Sequence, residues 1–237
     1  MRRTVISCAA LSAVFFFGGC ATFGTMQTAS TIGQGKTRIA LEPSMWGAAG
    51  GGQSALLPNF AVSMRYGVSD RVDIGGRIGV PAPGFELTSK FLVTSPKSKT
   101  LAVSIAPSAG GFVLAAGSGG SGTGGIVFVQ VPVLIGIKLG TSELVIAPKI
   151  HDLNIFGIAT SSSASGSGSG SFNLFSIGAS VGFSFGLGKT FKIMPEVAFV
   201  KPVVASAQLA SGNDQVSQVF DTNGALLQIG VALMFGG

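Results

Sequence analysis

Phe175, Ile177, Ala179, Val181, Phe183, Phe185 and Leu187 alternate with Ser176, Gly178, Ser180, Gly182, Ser184 and Gly186 along one unbroken stretch. Successive residues of a strand point to opposite faces, so this stretch has one wholly apolar face and one that carries nothing larger than serine. The end of the chain repeats the pattern with Leu227, Ile229, Val231, Leu233 and Phe235. A period of two sustained this long specifies a strand with one face against an apolar medium.

The same period recurs after Gly35 and predicts ten strands, at about 36–44, 58–68, 71–80, 85–94, 100–114, 126–139, 143–154, 172–187, 190–200 and 224–235. Most match the roughly 9–11 residues that a tilted strand needs to cross a bilayer. Composition agrees. Charged residues make up 10% of the chain and mean hydropathy is +0.59, whereas soluble domains carry about 25% charge. No apolar run is long enough for a membrane helix. A hydrophobic chain without such a helix satisfies its backbone in a membrane only by closing a barrel.

Charge placement says which face is which. Lys36, Arg38, Glu42, Arg65, Arg71, Asp73, Arg77, Glu86, Lys90, Lys138, Glu143, Lys149, Lys192 and Glu196 all fall on the polar parity, and only Asp152 and Lys201 fall on the apolar one, near strand ends. A cation on the lipid face costs roughly 2–4 kcal/mol at the midplane and less near the interfaces. The polar parity is otherwise Gly, Ser and Ala, which suits a narrow interior where small residues make room for long paired ones. Nine of these charges are basic and five acidic, so a mildly basic interior is expected, closed by salt-bridged side chains rather than open as a channel. The named network is Arg38, Glu42, Arg65, Asp73, Arg77, Glu86, Lys90, Lys149, Lys192 and Glu196, with Asp73 set to neutralise Arg65 or Arg77. Pro107, Pro132, Pro148 and Pro195 fall inside strands, where bulges are expected.

The connections alternate. Those at Ser69-Asp70, Ser95 to Lys99, Thr141-Ser142 and Gly188 to Thr190 are short, whereas 45–57, 115–125, 155–171 and 201–223 are long and rich in Gly, Ser or Ala. Outer-membrane barrels have short periplasmic turns and long external loops. Periplasmic N- and C-termini would place every long link outside. The run from Ser161 to Ser171 reads as a mobile loop.

Arg65-Tyr66-Gly67-Val68-Ser69-Asp70-Arg71-Val72-Asp73-Ile74-Gly75 resembles a hairpin recurrent in small bacterial outer-membrane β-barrel proteins. At the other end, Arg2 and Arg3 precede an apolar stretch from Val5 to Phe17, too short to span a bilayer, and a Gly18-Gly19-Cys20 exit. That exit resembles a lipobox. The resemblance implies a signal peptide over 1–19, diacylation of Cys20, and, since Ala21 rather than Asp follows, sorting to the outer membrane. Residues 20–34 would then be the acylated Cys and a periplasmic tether, and 35–237 the barrel. The implied partners are outer-membrane lipid and the barrel-assembly and lipoprotein-processing machineries.

Chemistry-bearing residues are few. His151 is the single histidine. Asp152 beside it points to the opposite face of a strand, so the two do not form an oriented catalytic pair. Cleavage of the signal segment removes Cys8, so one histidine and one cysteine leave no metal site and no cofactor to expect, and loss of Arg2 and Arg3 takes the net charge from +6 to +4, which implies no nucleic-acid partner. The expectation is a non-enzymatic transmembrane antiparallel up-and-down β-barrel lipoprotein of about ten strands, structural or interacting with a small solute or ligand. Alternatives are a narrow anion-preferring pore and a soluble, lipid-anchored, lipocalin-like periplasmic carrier.

Overall fold

The two-residue alternation extends into long antiparallel strands. In the computed structural model, which describes residues 23–50, 53–80, 84–116, 121–160, 167–188, 190–211, 214–219 and 224–237, these are β1 (Thr37–Gly50), β2 (Gln53–Ser69), β3 (Val72–Val80), β4 (Gly84–Leu92), β5 (Leu101–Ile105), β6 (Ser108–Ala116), β7 (Ser121–Leu139), β8 (Ser142–Thr160), β9 (Ser167–Gly186), β10 (Phe191–Ser211), β11 (Asp214–Val219) and β12 (Ala225–Gly236). β5 and β6 are halves of one barrel strand, since both pair with β4 and β7. β11 pairs only with the far end of β10. β12 pairs with both β10 and β1, which closes an all-β, ten-stranded, antiparallel barrel without a free edge.

Ile39, Met64, Ile78, Leu87, Val129, Ile177, Val181, Val197 and Ile229 are among the large apolar residues exposed on the outer surface. Their neighbours of opposite parity are buried inside. A soluble lipocalin-like carrier would have the reverse arrangement, so that alternative is overturned. The outer face also has aromatic edges, with Tyr66, Phe91, Phe185 and Phe235 near the short turns and Phe60, Phe85 and Phe156 toward the other end. Trp46 contributes to neither, because it is turned inward. A closed antiparallel barrel with an apolar outside is the architecture of outer-membrane barrels, where no backbone group is left unpaired in lipid. The chain is an outer-membrane protein.

The short turns gather at one end of the barrel, the turn end, together with Gly237. The opposite, hairpin end carries strand where loops were expected: β1 and β2 pair as far as Gly50 and Gln53, and β8 and β9 as far as Thr160 and Ser167. Residues 167–171 of the supposed mobile loop are therefore paired strand, and 161–166 lie outside the described residues. Gly- and Ser-rich segments show no apolar alternation, but their backbone inherits the register of the hairpin below. β7 to β10 run for 19, 19, 20 and 21 residues, about twice what a membrane crossing needs, whereas β3 and β4 have 9 each. The barrel is tall on one side and low on the other.

Pro107, Pro132, Pro148 and Pro195 make gaps, not bulges. Pairing of β7 with β8 lapses between Pro132 and Ile135, opposite Pro148, and resumes in the same register. Equivalent lapses face Pro195 and Pro43, and Pro107 separates β5 from β6 with register kept. Each proline removes one N–H from the ladder, which interrupts it without inserting a residue. A shift does occur at Pro202/Val204.

Candidate functional site: a lumen filled by the N-terminal segment

Before β1 the chain turns back through Gly33 and Gly35, whose φ values of 96° and 74° lie in the left-handed region that glycine adopts freely. Gly35 N–H donates to Gly67 O at 2.8 Å, tying this reversal to the turn end of β2. From there residues 32 to 23 run up inside the barrel. Residues 23–32, expected within a periplasmic tether, are thus inside the barrel as its plug.

The wall holds the plug by its backbone. Glu196 of β10 accepts from Thr25 N at 2.6 Å, Met26 N at 2.7 Å and Thr25 Oγ1 at 2.9 Å. Gln228 of β12 accepts from Phe23 N and Gly24 N at 2.6 and 2.7 Å. Glu143 of β8 takes Ala29 N at 2.8 Å and Ser30 N at 3.1 Å, and Asp73 of β3 takes Ile32 N at 3.2 Å. Cations meet the carbonyls. Lys90 donates to Thr28 O and Ser30 O, Arg77 to Thr25 O at 3.0 Å, and Lys149 to Phe23 O. Met26, at φ 48°, is the one described non-glycine residue with positive φ. That conformation points successive N–H groups the same way, making a small anion nest whose anion is the Glu196 carboxylate.

Three ion pairs join charges of the wall to one another. Arg77 bridges Glu42 at 2.7 Å and Glu86 at 2.8 Å, and Lys90 pairs with Asp73 at 2.9 Å. Asp73 thus neutralises Lys90, not Arg65 or Arg77, because the β3–β4 register sets Asp73 directly opposite Lys90 and Arg77 opposite Glu86. Gln130 and Ser63 add donors to Glu86 and Glu42. Arg38, Arg65, Arg77, Lys90 and Lys149 are buried with Glu42, Asp73, Glu86, Glu143 and Glu196, and Lys192 is half-buried. The expected basic excess is therefore not in the interior, where five cations meet five anions. It sits toward the turn end, where Lys36 and Arg71 are exposed and Lys138 and Lys192 half-buried.

Small wall residues make the space. A Cβ on Gly136 would fall 2.8 Å from Ala29 Cβ, and one on Gly230 would fall 2.6 Å from Ser44 Cβ and overlap the Met26 methyl. Met26 and Ala29 pack with Ala102, Leu134, Met194 and Met234 in a cluster around the plug.

Toward the hairpin end the interior changes character. Trp46, Phe112, Ile126, Phe128, Leu153, Leu174, Ala198, Val200 and Ala205 form an apolar collar around Phe23. His151, 1% exposed, stands at its foot, 5.2 Å from the Phe23 ring and 5.9 Å from that of Phe128. Asp152 points outward and accepts from Asn173 at 2.9 Å, with Asn154 beside it. The two neighbours are thus on opposite sides of the wall, and the Asp152, Asn154 and Asn173 group marks where the apolar outer band ends. Lys201 is also exposed outside. Among the described residues no group of His, Cys, Asp or Glu is placed to hold a metal. Cys20 and residues 1–19, expected as a signal peptide, lie outside the described residues.

The plug was not foreseen because its donors and acceptors are backbone groups, which every sequence has. One signal was present: Phe23, Met26, Ala29 and Ile32 recur every three residues, a spacing that no strand would produce, and all four are buried.

No family model matches the chain, and no curated protein does. Solved structures that it is similar to include the translocator domain of the autotransporter NalP from Neisseria meningitidis, at 12% identity over 98% of this chain and 95% of that one, with a TM-score of 0.49. The outer membrane protease OmpT from Escherichia coli gives 8% identity over 91% and 100%, TM-score 0.49. The outer membrane protein OprG from Pseudomonas aeruginosa gives 9% over 88% and 99%, TM-score 0.39. Likeness at this level carries no information about activity.

Proposed function

We propose that the chain is a non-enzymatic, non-conducting outer-membrane barrel lipoprotein with its turn end in the periplasm, acting as a structural or ligand-interacting element through the tall β7–β11 side of its outward-facing mouth. One observation carries this reading. The lumen is filled by residues 23–32, which exchange hydrogen bonds with Asp73, Lys90, Glu143, Lys149, Glu196 and Gln228 from five barrel strands. A barrel of this size is only slightly wider than the eight-stranded kind whose side chains fill the interior, so a segment bonded to the wall along its length leaves no path for solute. Balanced buried charge also removes the reason to expect anion preference.

Acylation of Cys20 belongs to the same reading and rests on the Gly18-Gly19-Cys20 pattern. The non-enzymatic part is supported by the separation of His151 from Asp152. Planar-bilayer recording tests the core of the proposal. The mature full chain gives no conductance steps, whereas a chain lacking residues 23–32 gives steady ones. Steps from the intact chain equal to those of the deletion would overturn it.

A further inference from the structure

The apolar collar lies on the hairpin side of the plug and surrounds Phe23, the first of the described residues. Cys20 is three residues before Phe23, and three extended residues reach at most about 10 Å. Phe23 is 4% exposed, with Trp46 at 6.2 Å and His151 at 5.2 Å. To enter the membrane leaflet at the turn end, a group on Cys20 would have to pass residues 23–32, which fill the lumen, or cross the closed barrel wall. Neither route exists while the plug is seated.

We infer that the acyl group of Cys20 is held on the hairpin side of the plug, its polar root and nearest methylenes seated in the apolar collar above Phe23. This rests on the lipoprotein reading above. Two features of the collar fit this occupant. Its inward side chains, among them Phe112, Ile126, Leu153 and Leu174, form an apolar cluster separate from the one that packs on Met26 and Ala29, and Phe23 is the one plug residue among the described residues that joins them. At its foot, Trp46 Nε1, both ring nitrogens of His151, Gln130 Oε1 and Ser176 Oγ are buried without hydrogen-bond partners. Buried polar atoms are costly unless paired. A purely apolar occupant leaves them so, whereas the ester carbonyls and amide at the root of an acylated cysteine supply acceptors for Trp46 and His151 and a donor for Gln130.

Trp46 is the chain's single tryptophan, so its emission reports the collar alone. The mature full chain is purified from cells fed brominated fatty acids into unbrominated detergent. Intact mass reports whether Cys20 is acylated, and Trp46 emission reports where the brominated chains lie. The expected result is a mass gain with loss of most Trp46 emission relative to protein from unlabelled cells, and full emission from a Cys20→Ser chain exported by an ordinary signal peptide in the same labelled cells. A mass gain with unchanged emission overturns the inference and leaves the lipoprotein reading standing. Equal quenching in Cys20→Ser assigns the collar to free membrane lipid and overturns Cys20 as the source. Absence of a mass gain overturns the lipoprotein reading and this inference with it. Should Cys20→Ser fail to assemble, the mass and emission of the unmodified sequence still decide whether acyl chains occupy the collar.

Discussion

Replacing Glu196 with alanine removes the acceptor of three plug donors at once: Thr25 N, Met26 N and Thr25 Oγ1. Each buried donor left without a partner costs about 1–3 kcal/mol, so the seat of residues 25 and 26 is weakened by about 3 kcal/mol even at the low end. Every 1.4 kcal/mol is a factor of ten in an equilibrium, and amide exchange through local opening follows that equilibrium. Hydrogen exchange at Thr25 and Met26 is therefore expected to accelerate by about 100-fold or more in Glu196→Ala. Ala29 and Ser30 are held by Glu143 and Ile32 by Asp73, so their exchange should change by far less. The β10 amides in the ladder with β9 serve as the internal control. Unchanged exchange at Thr25 and Met26, or an equal rise along the whole plug, would refute a plug held by separate carboxylate clamps.

Three further outcomes follow from the geometry. Gly230→Val places a side chain where the Met26 methyl lies; it should displace the plug and give conductance steps like those of the deletion, and a silent bilayer would count against that packing. Lys90→Met leaves Asp73, 0% exposed, as a buried carboxylate without its cation, a change worth about 3–5 kcal/mol; the temperature at which the barrel loses its compact mobility on a denaturing gel should fall, and should partly recover in Lys90→Met/Asp73→Asn. Val181→Arg puts a cation on the lipid face at a cost of about 2–4 kcal/mol and should reduce the heat-modifiable band in outer-membrane fractions, an effect absent if Val181 faces the interior.

Much of the barrel could be read from residues 175–187 and from charge parity alone, because lipid outside and side chains inside enforce a strict period of two. Strand ends were harder. Segments such as Ser167 to Ser171 contain only Gly and Ser, so nothing in their side chains distinguishes a paired hairpin from a loop, and pairing is dictated by the register of Phe172 to Gly186 below. The charge network showed a similar division. Parity located Glu143 and Glu196 on the inner face, but the partners of their carboxylates are N–H groups of residues 25, 26, 29 and 30, which no side-chain pattern marks. Five acids facing nine bases suggested a basic interior; the surplus bases prove to lie toward the rim, where water solvates them.

Gln228 binds the plug across 205 residues of sequence, and Glu196 across 171. Both clamps belong to the last barrel strands in chain order, β10 and β12, while their target precedes every barrel strand. Contacts of such separation form late. A half-assembled sheet therefore offers the backbone of residues 23–26 only the cations Arg77 and Lys149, and its N–H groups find acceptors as β10 and β12 join the wall. The last clamps on the plug and the closure of the wall thus come together, and an unfinished barrel holds its stopper by fewer bonds.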